Sequence, residues 1–128
     1  MIEKKKVYKC GKCGNLVEAL WNGNPSPTCC GEVMQELLPN TTDAALEKHV
    51  PVLERVGNQV RVKVGSVAHP MTPEHYILFI EVIHGQDVYR RDLKEGDAVA
   101  EAIFLIPDDG QPLVAREYCN LHGFWATR

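Results

Sequence analysis

The sequence predicts an all-β chain in two parts: a small metal-organised domain over residues 1–38, then a β-sandwich over residues 39–128. Three observations carry this. Four of the five cysteines crowd into residues 10–30, in a stretch whose apolar residues come only in short runs. Downstream, apolar residues gather in short runs separated by Gly, Pro and Asp turns, the spacing of a sandwich. Among them, Gln59-Val60-Arg61-Val62-Lys63-Val64 alternates strictly, which is the period of a half-buried strand.

Taken in order, the basic start Met1–Lys6 runs straight into Val7-Tyr8-Lys9-Cys10 with no apolar segment after it, so a conventional secretion signal is not expected and a cytoplasmic location is. Cys10-Gly11-Lys12-Cys13 has the spacing of a metal knuckle: two thiolates three residues apart can reach one ion, and glycine lets the backbone turn toward the sulfurs. Cys29 and Cys30 are adjacent, so their side chains must splay to share that ion, and a distorted tetrahedron is expected. Residues 1–38 hold too little apolar surface for a core, so the metal has to organise them. Four sulfurs suit zinc and iron alike, and both stay open on ligand type.

Pro39-Asn40-Thr41-Thr42-Asp43 has turn chemistry and reads as a linker. One short helix is expected over residues 42–48, with Thr42 or Asp43 as its cap and Pro51 preventing its extension. The apolar runs 76–83, 99–106 and 113–118 are predicted strands alongside 59–64.

Composition excludes several classes. A net charge of -3 with scattered lysines and arginines gives no basic stripe for nucleic acid. No apolar run approaches the roughly 20 residues of a membrane helix. Five cysteines in such a chain point to metal or redox chemistry rather than to a disulfide framework.

The histidines stand at 49, 69, 75, 84 and 122. A lone histidine says little, but the settings of four of them do. Glu47-Lys48-His49-Val50-Pro51 ends the expected helix, and His69-Pro70-Met71-Thr72-Pro73-Glu74-His75 is a loop stiffened by proline, which fixes the backbone before it. Cys119-Asn120-Leu121-His122 offers a thiolate and an imidazole that one turn can bring to a single ion.

The cysteine pattern at 10, 13, 29 and 30 resembles desulforedoxin, whose iron binds four thiolates. The elements E-K-H-V-P, H-P-x-x-x-E-H and C-N-x-H-G-x-W resemble the catalytic domain of superoxide reductases in order, spacing and flanking residues. Together the whole chain resembles the desulfoferrodoxins, the two-iron form of that family. The resemblance implies a desulforedoxin/rubredoxin-like iron domain followed by an immunoglobulin-like β-sandwich. It implies two irons per chain: one on Cys10, Cys13, Cys29 and Cys30, and a catalytic one with His49, His69, His75 and His122 in a square plane and Cys119 as axial thiolate. The implied reaction is one-electron reduction of superoxide to hydrogen peroxide, with electrons from a donor such as rubredoxin, in a homodimer. Lys48, in E-K-H, is expected to guide the superoxide anion, and Glu47 to fill the sixth position of the ferric iron. Backbone amides of Leu121 and His122 are expected to donate to the Cys119 sulfur. Tyr118, Phe124 and Trp125 are expected to pack around the site, and His84, which matches no family ligand, to lie on the surface. Two rivals remain at this point: an electron carrier or zinc-stabilised binding module, and a superoxide dismutase.

Overall fold

A computed structural model describes residues 3–43 and 48–127. The chain divides into two compact units, residues 1–38 and 39–128.

The first unit is built from very short strands. β1 (Val7–Lys9) lies between β2 (Leu16–Glu18) and β5 (Gln35–Leu37), antiparallel to both, and β3 (Thr28–Cys29) pairs with β4 (Glu32–Val33). Among the described residues its buried cluster consists of Tyr8, Cys10, Ala19 and Met34, with Cys29 packed against it. Cysteine sulfur is therefore as much a part of this core as hydrocarbon is.

The second unit is a sandwich of two antiparallel sheets. One has the order β10-β7-β6, from β6 (Pro51–Val56), β7 (Gln59–Val64) and β10 (Glu101–Leu105). The other has the order β12-β11-β8-β9, from β8 (Ile77–His84), β9 (Asp87–Asp92), β11 (Leu113–Cys119) and β12 (Gly123–Ala126). Seven strands in sheets of three and four make the expected immunoglobulin-like sandwich.

Alternation explains which side chains fill it. Val60, Val62 and Val64 of β7 face Ile80, Val82, Ala115 and Cys119 of the other sheet, and all are buried. The β8–β11 ladder slips at its end: Tyr118 pairs with Phe79, but Cys119 pairs with Ile77. This bulge keeps both Ile77 and Cys119 in the core where strict alternation would turn one of them outward.

The structure differs from expectation at two places and leaves a third undescribed. The helix expected over residues 42–48 rests chiefly on residues 44–47, which lie outside the described residues; Thr42, Asp43 and Lys48 on either side are not helical. The expected linker is partly paired, because Asn40 donates from its N–H to Phe124 O (2.9 Å) and accepts from Ala126 N–H (2.9 Å), extending β12. His84 is buried rather than on the surface: it ends β8 facing inward, and its Nε2 lies 2.9 Å from Asp109 Oδ1.

Candidate metal centres

The cysteine centre forms where β1 ends and the β3–β4 hairpin turns. The ligand atoms of Cys10, Cys13, Cys29 and Cys30 all lie within 4.8 Å of one another. Cys13 N–H points at Cys10 Sγ (3.4 Å), Asn15 Nδ2 at Cys29 Sγ (3.5 Å), and Cys13 Sγ lies 3.5 Å from Cys29 Sγ. The adjacent pair splays as the sequence requires, with Cys30 in the left-handed region at φ 52°. The backbone N–H groups of Cys13 and Lys12 hold the Cys10 thiol down at about 6. Cys30 is pushed up to about 12, first by hydrogen bonding with Cys13 and then with Cys10. Four crowded sulfurs cannot all ionise on their own, and a cation among them is what removes that conflict. The donor set fits a tetrahedral thiolate-bound metal.

The second centre sits at one end of the sandwich, and topology puts it there. Pro51 at the start of β6 pairs with Val64 at the end of β7, and Ile77 at the start of β8 pairs with Cys119 at the end of β11. His49 precedes β6, His69 and His75 lie between β7 and β8, and His122 is in the β11–β12 turn. All four imidazoles therefore emerge at the same rim as Cys119.

Their rings stand at the corners of a near-square. Centroids are 4.9 Å apart for His49 and His69, 4.5 Å for His69 and His75, 4.9 Å for His75 and His122, and 4.8 Å for His122 and His49. The His49–His75 diagonal is 6.3 Å. Ligand atoms of His49, His75, Cys119 and His122 all lie within 4.8 Å of one another, with His69 bordering that group. Cys119 Sγ is 3.6 Å from His122 Nδ1. The Nε2 atoms of His49, His69 and His75 are all buried, and that of His75 has no hydrogen-bond partner among the described residues. At His69, Nδ1 lies 2.8 Å from Pro70 O, which can only accept, so Nδ1 carries the proton and Nε2 presents its lone pair inward. Buried imidazole nitrogens converging beside a buried thiol fit a metal ion and little else.

Several supports were not legible as such in the sequence. Asp43, expected only as a helix cap, accepts from the N–H groups of both His49 (2.6 Å) and Val50 (2.8 Å) and so pins the first histidine. Trp125 stacks on the His49 ring at 4.9 Å and 18°, while its Nε1 donates to His122 O (3.1 Å). The packing role expected for Trp125 is thus accompanied by a hydrogen bond to a second histidine. Glu117, two residues before Cys119 on the same inward face, is fully buried; burial, and after it the Asp43 charge, push its carboxyl up to about 9. Lys48 is half-buried next to His49. Glu47 lies outside the described residues.

The desulfoferrodoxin family model matches residues 41–128, and the model of the desulfoferrodoxin N-terminal domain matches residues 2–37. The chain belongs to the desulfoferrodoxin family. It is 50% identical over 127 residues to the desulfoferrodoxin of Syntrophotalea carbinolica, covering 99% of this chain and 98% of that one. It is 51% identical over 127 residues to a desulfoferrodoxin homolog of Archaeoglobus fulgidus, covering 99% of each. The crystal structure of the superoxide reductase from Treponema pallidum superposes with a TM-score of 0.77 at 34% identity, over 96% of this chain and 97% of that one. For a desulfoferrodoxin, the two clusters described above correspond to the family's two iron centres.

Proposed function

We propose that this chain is a superoxide reductase carrying two irons, with its chemistry at the histidine and cysteine centre. The observation that carries the reading is the near-square of four imidazoles closed by a buried cysteine at one rim of the sandwich. In this reading His49, His69, His75, His122 and Cys119 hold the catalytic iron, and Cys10, Cys13, Cys29 and Cys30 the other. Iron bound there supplies one-electron reduction of superoxide, which with two protons gives hydrogen peroxide.

The chain's own residues do the rest. Cys119, wholly buried on the core side, contributes a dry, electron-rich thiolate. His122 is exposed and His69 and His75 are half-buried, which leaves a small anion a path from solvent to the square. Because the protein is net negative, approach of superoxide needs a local positive charge, and the Lys48 ammonium beside His49 provides it. Glu47, by its place in E-K-H, would supply a carboxylate to the bound iron. The Cys10–Cys30 iron either relays electrons from a one-electron donor such as rubredoxin or serves the fold. We assign a homodimer on family resemblance, and the cytoplasm because five cysteines committed to metal ligation suit a reducing compartment.

The test is pulse generation of superoxide against the reduced protein, with peroxide measured per iron oxidised. One peroxide per catalytic iron and no dioxygen is expected; dioxygen release would mark a dismutase instead. Lys48→Ala should slow the second-order step roughly tenfold at low salt and flatten its ionic-strength dependence, with iron retained. An unchanged rate and salt slope would remove Lys48 from the reaction.

A further inference from the structure

The β8–β11 ladder ends at Cys119, because the chain must turn there to bring His122 back to the rim. Beyond that point Asn120 takes over the pairing. Its N–H donates to Tyr76 O at 3.1 Å, its Oδ1 accepts from Tyr76 N–H at 2.9 Å, and its Nδ2 donates to Glu74 O at 3.0 Å. A carboxamide can accept one of these bonds while donating the other, so the side chain stands in for a missing peptide group.

The two residues gripped are the neighbours of His75 on either side. The main chain of His75 itself is held by Thr72: His75 N–H donates to Thr72 O at 3.1 Å, and Thr72 N–H to His75 O at 2.9 Å. Asn120 directly follows Cys119 and stands two residues before His122. One side chain thus ties the segment bearing one imidazole to the turn bearing another imidazole and the thiolate.

We propose that Asn120 is a positioning residue for the histidine and cysteine centre: its carboxamide clamps Glu74 and Tyr76, setting His75 in register with Cys119 and His122. The inference rests on the reading of those three residues as iron ligands. Support groups around metal ligands govern affinity roughly 10- to 100-fold. An ordinary loop hydrogen bond would instead change stability alone.

The experiment follows transfer of ferrous iron from the whole two-iron protein to a chelator, with the absorption of the four-cysteine iron as an internal control. Asn120→Ala should release iron from the histidine and cysteine centre roughly 10- to 100-fold faster, with the control and the thermal midpoint little changed. Asn120→Asp keeps the acceptor for Tyr76 N–H but sets a carboxylate oxygen against Glu74 O. It should also release iron faster, and it carries the test if the alanine variant does not fold. In a His75→Ala background, Asn120→Ala should add nothing. Wild-type release rates in both variants, or the same acceleration with and without His75, would overturn the proposal. A wild-type chain holding metal only at its cysteines would sink the ligand reading, and this inference with it.

Discussion

Gly65 carries a constraint that its own chemistry does not announce. It follows β7 with φ +77°, and a Cβ built on it would fall on the Lys48 carbonyl oxygen, 2.8 Å from the Lys48 carbonyl carbon and 3.0 Å from its Cβ. The obstacle is backbone, so no rotamer change relieves it. Gly65→Ala should therefore displace the Lys48–His49 segment, besides the strain of about 1–3 kcal/mol for a left-handed non-glycine residue. The expected result is slower reduction of superoxide and a flatter salt dependence, read by rapid kinetics at several ionic strengths beside iron content. Kinetics identical to wild type would mean that the segment shifts without consequence. Residues like Gly65 and Asn120 are hard to read in sequence because their partners lie 17 and about 45 positions away. The cysteines and histidines were readable because each carries its donor atom in its name.

Among the elements, β7 was legible because one buried face of the sandwich forces alternation, which Val60, Val62 and Val64 obey, and β8 because its apolar run is nearly continuous. β9 (DVYRRD) was not, since an edge strand has less need of an apolar face, and neither was β12 (GFWA), whose buried run is too short to show a period. The end of β8 departs most plainly from the surface position expected of it, at His84. Its Nε2 hydrogen bond first, and the Gln111 N–H after it, hold the Asp109 carboxyl below its ordinary value. A carboxyl depressed in the folded state adds stability that is present above the unfolded value, near 3.8, and is lost as pH falls through the folded one. Asp109→Asn should thus lower the urea midpoint at pH 7 and make little difference at pH 2. An equal deficit at both would show that the charge of Asp109 is not what matters.

At the scale of the molecule, each of the two units coheres by a different means. The sandwich has a continuous apolar core from Val60 to Cys119, whereas the buried cluster of the first unit is small and gathered around its sulfurs. Stripping metal from the whole protein with a chelator should collapse the dispersed NMR signals of residues 3–38 and leave those of β7, β8 and β11 in place. A first unit that stays folded after metal loss would show that its short strands suffice.

The sequence by itself determined the ligand types, their grouping and the strand periods, because donor atoms and alternation are local properties. It also carried, through motif order, the family. Only the tertiary structure decided that the start of β6, the end of β7, the start of β8 and the end of β11 share one rim, so that residues as distant as His49 and His122 close a square. It likewise decided that His84 is inside, that Asn120 continues a ladder, and that Gly65 can bear no side chain. These are facts of pairing and packing between distant segments, and strand register, which fixes them, is written in no single stretch of chain.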